Sequence, residues 1–361
     1  MDAETYAIIR LARTNGIGQK TFRLLIQAAG SAAKAVENFL QLQKDLKIRN
    51  DISLIDQIDI DQEIAKIAQI GGGIVTYLDP LYPKLLKQVY DFPLTLSYLG
   101  DIALANQPCV AIVGSRNCSA NGFRYSYNLA KQALAGGYVV VSGLALGIDT
   151  AAHKASPNNT IACVAGGVNH VYPEENRGLY EQIAAQGLIL SEMALGTIPK
   201  ATNFPMRNRI ISGLSSATIV VEAAINSGSL ITAKCALEQN RDVYAVPSFP
   251  GDPRSRGTIK LLKEGAFIME DFADFKAQFT ITAQQKIKQI EAFEENLLTD
   301  EVNNRDIESI VMQQVGLSET AIDDIIAITG YSSYQVVAAI SKLELDGKLL
   351  RQNYNKVIKI A

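Results

Sequence analysis

Four stretches of the 361-residue chain set arginine, serine or asparagine beside glycine or proline in a way that suits an anion. They are Gly114-Ser115-Arg116, Asn203-Phe204-Pro205-Met206-Arg207-Asn208-Arg209, Asn226-Ser227-Gly228-Ser229 and Pro253-Arg254-Ser255-Arg256-Gly257. A guanidinium offers a rigid fork of donors, and free amides at a helix start add the positive end of a dipole; both match a phosphate. Arg116 either meets such a ligand or pairs internally, with Asp149 and Glu222 as the acids to consider. Pro205 favours a helix start there, which puts Arg207 and Arg209 in the first turns. Residues two apart point about 200° apart around a helix, so only one of the pair faces a ligand, and the other, with Asn208, braces neighbouring loops. Phe204 offers a ring for stacking on a base or for packing at the helix start. Each loop alone is a weak signal, whereas four of them converging at one sheet edge would line an extended phosphate groove.

Hydrolysis would need a nucleophile and a base. Ser115 lacks a nucleophile elbow, His153 falls in a predicted helix, and Asp149 suits a cap. Glu192 and Glu222 end predicted strands and could either activate water or pair with arginine. The Gly114 loop is not a dinucleotide fingerprint, because no second glycine follows two residues on. The strand at 138–142 ends in Ser142-Gly143 and not in an acid for a ribose, and no Gly-Lys-Ser/Thr loop occurs. No cofactor is therefore expected. With only His153 and His170 present, a multi-histidine metal site is excluded, and scattered Cys109, Cys118, Cys163 and Cys235 fit free thiols in a reducing cytosol.

A net charge of −3 argues against a generally adhesive nucleic-acid binder. The charge is unevenly spread: +4 over residues 1–50, −4 over 51–70, +1 over 71–278 and −4 over 279–361. An anion site must then be a local cluster. Hydrophobic content of 48% is ordinary, no apolar run reaches bilayer length, and Met1-Asp2-Ala3-Glu4-Thr5 lacks the features of a signal peptide, so a cytoplasmic location is expected.

Holding these loops requires a sheet. The apolar runs at 108–113 and 139–142 each end in glycine and polar residues, and Ser119 to Gly136 between them reads as a helix, the pattern of a buried parallel crossover. Further strands are predicted at 160–165, 187–191, 217–221 and 242–246, with helices at 148–155, 176–186, 205–213 and 229–239. Alternation over this length predicts a doubly wound, mainly parallel α/β sheet, whose ligands sit beyond the strands' carboxyl ends, where Gly114-Ser115-Arg116 and Ser142-Gly143 fall. Helices at 4–12 and 18–28, joined through Gly16-Ile17-Gly18, resemble a helix-hairpin-helix; Arg10, Arg13, Lys20 and Arg23 either reach a nucleic-acid backbone or form a solvated face. Gly71-Gly72-Gly73 marks a boundary. Residues 276–304 read as a charged helix and linker, and three helical segments with a hairpin at 349–360 suggest a winged helix. The expected domains are 1–70, 71–278, a linker at 279–300, and 301–361.

Gly114-Ser115-Arg116, Ser142 to Asp149, Tyr172-Pro173-Glu174-Glu175-Asn176, Asn203 to Gly213, Ser227-Gly228-Ser229 and Asp252 to Thr258 together closely resemble the DNA-processing protein A (DprA/Smf) family, over residues 71 to about 275. The resemblance implies an extended Rossmann domain that binds single-stranded DNA and helps load the RecA recombinase in natural transformation, with no catalytic step. It places Arg116 in the DNA pocket, and Lys200, Arg207 and Arg209 along the same groove. It also implies a homodimer formed through the end of the Rossmann domain, here Ile259, Leu261, Leu262, Phe267 and Ile268. The N-terminal helices resemble the family's sterile-alpha-motif-like domain, and the tail its winged-helix appendage.

Overall fold

The computed structural model describes residues 1–277, 307–316, 318–353 and 355–360. Contacts divide the chain into two units, Met1–Phe275 and Lys276–Ala361. The predicted linker at 279–300 lies outside the described residues. Among the described residues no helix is long and apolar enough to cross a membrane.

The first unit begins with five helices, α1 (Ala3–Arg13), α2 (Gln19–Ala29), α3 (Ala32–Glu37), α4 (Phe39–Asp45) and α5 (Gln57–Gln69). Asp2 caps α1 by accepting the Thr5 amide at 2.8 Å, and Glu4 accepts the amides of Ala32 and Ala33 at the start of α3. Such caps meet donors that a helix leaves unpaired. The helices close over Ile8, Leu11, Phe22, Leu25 and Phe39. Arg10 and Arg13, two of the cations set out for a nucleic-acid backbone, are engaged internally. Arg10 donates to the Ile55 carbonyl, and Arg13 pairs with Glu63 at 3.1 Å while also donating to the Glu192 carbonyl and Ser97. A guanidinium carries five donors, and burial between layers requires partners for them.

Nine strands form the central sheet: β1 (Gly72–Thr76), β2 (Thr95–Gly100), β3 (Cys109–Val113), β4 (Val139–Ser142), β5 (Thr160–Cys163), β6 (Leu188–Ser191), β7 (Ala217–Val220), β8 (Asp242–Ala245) and β9 (Phe267–Ile268). Their order is 1-2-6-5-4-3-7-8-9; β1 and β2 join antiparallel, and β6 through β9 run parallel. Helices α6 (Ala120–Ala135), α7 (Ile148–Ala155), α8 (Arg177–Gln186), α9 (Asn203–Leu214), α10 (Gly228–Glu238) and α11 (Arg256–Lys263) cover it. On β3, Cys109, Ala111 and Val113 join the core under α9 to α11, while Val110 and Ile112 face α6 and α7. Burying each valine or isoleucine among them contributes about 1.5–3 kcal/mol. The doubly wound, mainly parallel architecture expected from the alternation is the one observed. Strand order reverses at β3, so the crevice beside its carboxyl end is the topological switch point.

Helix α9 starts at Asn203, two residues before the predicted start, so Phe204 and Pro205 lie within its first turn, where a proline's missing N–H has no partner to lose. Of the proposed dimer residues, Leu261 is a correction: it is buried in the core, facing the sheet at period 3.6, whereas Phe267 and Ile268 on the edge strand are exposed. Ile259 and Leu262 are half-buried.

In the second unit, α12 (residues 307–314), α13 (Ile322–Thr329) and α14 (Ser333–Leu345) pack with an antiparallel sheet of β10 (Thr320–Ala321), β12 (Lys356–Lys359) and β11 (Leu349–Asn353). Ile307, Val311, Ile325, Ile340 and Val357 form its core, and Ser332 with Gln335 completes a capping box on α14. This is a winged helix. Thr320 and Ala321 pair with β12, as suits a β-branched residue beside an open strand.

Candidate functional site

The loop after β3 is held from three sides. A side chain at Gly114 would strike Ile148 and the Glu222 backbone. The Ser115 amide donates to the Glu222 carbonyl at 2.7 Å, and the Ile148 amide to the Ser115 carbonyl at 3.2 Å. Gly147 has φ +81°, and a Cβ there would lie 2.3 Å from the Ser115 oxygen and 2.6 Å from that of Arg116. Only glycine fits both that conformation and that approach. Glu222 accepts the Ser119 amide at 2.8 Å and its hydroxyl at 2.5 Å, and Ser119 in turn caps α6. Asp149 accepts the Gly143 and Ala145 amides. Both acids considered as partners for Arg116 are thus engaged elsewhere.

Arg116 itself is exposed and forms no ion pair among the described residues. Its guanidinium lies 5.1 Å from the Phe204 ring centroid, and Phe204 packs at 5.6 Å against Tyr172, which is 45% exposed. The result is a ladder of two rings and a guanidinium at the switch point, a geometry in which the cation stays free to meet an anion. Beside it runs a cleft of about 430 Å³ lined by Ser115, Arg116, Asn226, Ser227, Gly228 and Ser229. Ser227 caps α10 through the Ser229 amide, so the positive end of that 11-residue helix opens into the cleft.

Several expected contact residues prove to be supports. Arg207 is buried, its guanidinium donating to the carbonyls of Gly143 and Cys163 and its Nε to Asn208 at 3.2 Å, so it ties the ends of β4 and β5 together beneath the cleft. Burial pushes the Asp149 carboxyl up and the Arg207 guanidinium down from their ordinary values, and each one's charge opposes the other's shift. Asn208 also donates to the Gly228 carbonyl, bracing the start of α10. Arg209 points away, to Glu192 at 2.6 Å and Asp91 at 3.4 Å. Arg209 thus turns from the cleft, whereas Arg207 borders it with its guanidinium engaged by backbone carbonyls. Ser142 is buried and donates to the Ile112 carbonyl; Gly143 offers its carbonyl inward.

Lys200 and Arg256 are exposed, and Arg254 pairs with Asp252 at 2.7 Å; none of the three lines the cleft. The loop at 253–257 acts through its backbone, where the Ala223 amide donates to the Arg254 carbonyl. Tyr172 escaped the residue-by-residue reading, although an aromatic ring in the loop after a parallel strand was its available signal. Glu192 is close to Arg209, and burial raises its carboxyl while the arginine opposes the rise. His153 is fully buried; Thr160 donates to the Val140 carbonyl, so Nδ1 must donate to Thr160, and burial lowers this imidazole to about 3. Among the described residues no group of three or more His, Cys, Asp or Glu is placed to hold a metal.

Three family models match the chain: DNA recombination-mediator protein A over residues 73–280, a DprA-like N-terminal HHH domain over 2–65, and a DprA winged helix domain over 300–353. The chain is 43% identical over 198 residues to Protein Smf of Synechocystis sp., covering 53% of this chain and only half of that protein. To DNA processing protein DprA of Bacillus subtilis it is 44% identical over 228 residues, covering 60% and 77%. The solved DNA processing protein A from Streptococcus pneumoniae superposes with a TM-score of 0.64 at 33% identity, covering 77% of this chain and 98% of that one. DNA processing protein A from Helicobacter pylori, whose structure is described as giving insight into a unique single-stranded DNA binding mode, superposes at 0.53 with 29% identity, covering 58% and 96%.

Proposed function

Because the chain belongs to the DNA recombination-mediator protein A family, we propose that it binds single-stranded DNA along the cleft at the carboxyl ends of β3 and β7, as a mediator and not as an enzyme. The observation that carries this is Arg116: exposed, without an ion pair among the described residues, and stacked on Phe204 next to the amide end of α10. Phosphates meet the guanidinium and amides, and bases stack on Phe204 and Tyr172, a combination that needs no base code. A chain of net charge −3 depends on such a local cluster.

The hydrolytic alternative draws no support from the site. Glu222 holds Ser119, and Glu192 is paired with Arg209. Delivery of the bound strand to the RecA recombinase in the cytoplasm, and a homodimer joined through exposed Phe267 and Ile268 with Ile259 and Leu262 beside them, complete the reading. Two clefts in one dimer would raise avidity on a long strand without new chemistry.

Titration of a fluorescent single-stranded oligonucleotide at two salt concentrations tests it. Wild type binds with strong salt dependence; Arg116→Ala, correctly folded, loses tenfold or more, roughly the 1.5–3 kcal/mol of a charge-assisted contact. Wild-type binding by that variant would remove the site assignment.

A further inference from the structure

A second basic surface lies outside the cleft. Tyr90, in the connection between β1 and β2, is 84% exposed. Across from it on α2, the Arg23 guanidinium lies 4.8 Å from the Tyr90 ring centroid and 5.9 Å from that of Phe92, and donates to the Tyr90 carbonyl. The Lys87 ammonium stands 6.0 Å from the Tyr77 ring, which packs edge-on against Phe22 and beside Phe92. Lys20 precedes Arg23 by one turn on the same helix. Lys20, Arg23 and Lys87 are exposed, and among the described residues none of them forms an ion pair. The nearest acid in sequence, Asp91, is engaged by Arg209 at 3.4 Å.

We propose that this patch is a second contact for single-stranded nucleic acid, with Tyr90 stacking on a base and Lys20, Arg23 and Lys87 meeting the flanking phosphates. Arg23 lies over one face of the ring and is itself backed by Phe92, which packs against Tyr77, and this lowers the ordering cost of a stack on the open side. Phosphate contacts with an aromatic platform and no placed base-reading groups bind a strand whatever its sequence. Paired bases in a duplex are already stacked, so the exposed ring favours single strands. The inference rests on the cleft reading only in that one strand is to occupy both places.

The test uses the full chain and two fluorescent oligothymidylates, one of about 8 and one of about 40 nucleotides, the short one fitting a single site. Tyr90→Ala and Lys87→Glu each weaken the long oligonucleotide by about fivefold or more and leave the short one unchanged. Lys87→Glu also lowers the slope of log affinity against log salt by about 0.7, and Tyr90→Phe retains wild-type binding. Unchanged long-strand binding by folded Tyr90→Ala, or equal losses on both lengths, overturns the proposal. Arg116→Ala separates the two claims, because it acts on the short oligonucleotide, where the patch variants do not.

Discussion

The sheet rim and the winged helix both carry cations, yet they use them in opposite ways. In the tail, Lys342 pairs with Glu308 at 2.8 Å, Lys348 with Asp346 at 3.3 Å, Arg351 with Glu344 at 3.1 Å and Lys356 with Glu319 at 2.8 Å. Helix α14 meanwhile exposes Tyr334 and Leu345. At the rim, the acids that could have neutralised Arg116 are turned to backbone amides and a serine, leaving the guanidinium open. Exposed ion pairs are weak, under about 1 kcal/mol each, but each one a polyanion must displace subtracts from what binding gains. Counting lysines on a familiar DNA-binding module therefore misleads; whether their carboxylates are nearby decides.

Three substitutions or deletions press on that contrast. Arg207→Ala has the largest expected effect, a loss of about 3–5 kcal/mol in urea unfolding, because it leaves two buried carbonyls without their donor and removes the positive charge that opposes the cost of burying Asp149. Unaltered stability would make Arg207 a free donor like Arg116. Phe204→Ala is expected to weaken single-strand binding by about 5- to 150-fold, the range of one aromatic stack, with the salt slope nearly unchanged. A loss of slope instead would show that the ring serves only to aim Arg116. A chain ending at Phe275 should keep its affinity for a short single strand within about twofold, since the tail's paired cations add little. A tenfold drop in the same titration would place the winged helix on the DNA.

The strands, their parallel order and the position of Arg116 were legible because they depend on local pattern: an apolar run buried on both faces, then glycine, then a cation. Side-chain partners across the fold were not. Nothing in the spacing ties Arg209 to Asp91 and Glu192, because the three converge from α9, the β1–β2 connection and the end of β6. Arg207 looked like a donor for the same reason, since the carbonyls of Gly143 and Cys163 that hold it belong to two other strand ends. Leu261 read as surface until the sheet gave it a face to bury. The Tyr90 patch was invisible for a related reason: its ring and its stacked arginine are 67 residues apart.

Gly147 gives the rim one more property. With the Ser115 and Arg116 oxygens filling the space a side chain would take, the height of the cation above the sheet is set from below by the lack of a methyl group. Any bulk at that turn lifts the loop and parts the guanidinium from its ring. Where the open charge stands is thus governed by a position that touches no strand itself, and the cleft's tolerance to change is narrowest at a residue with nothing to offer a ligand.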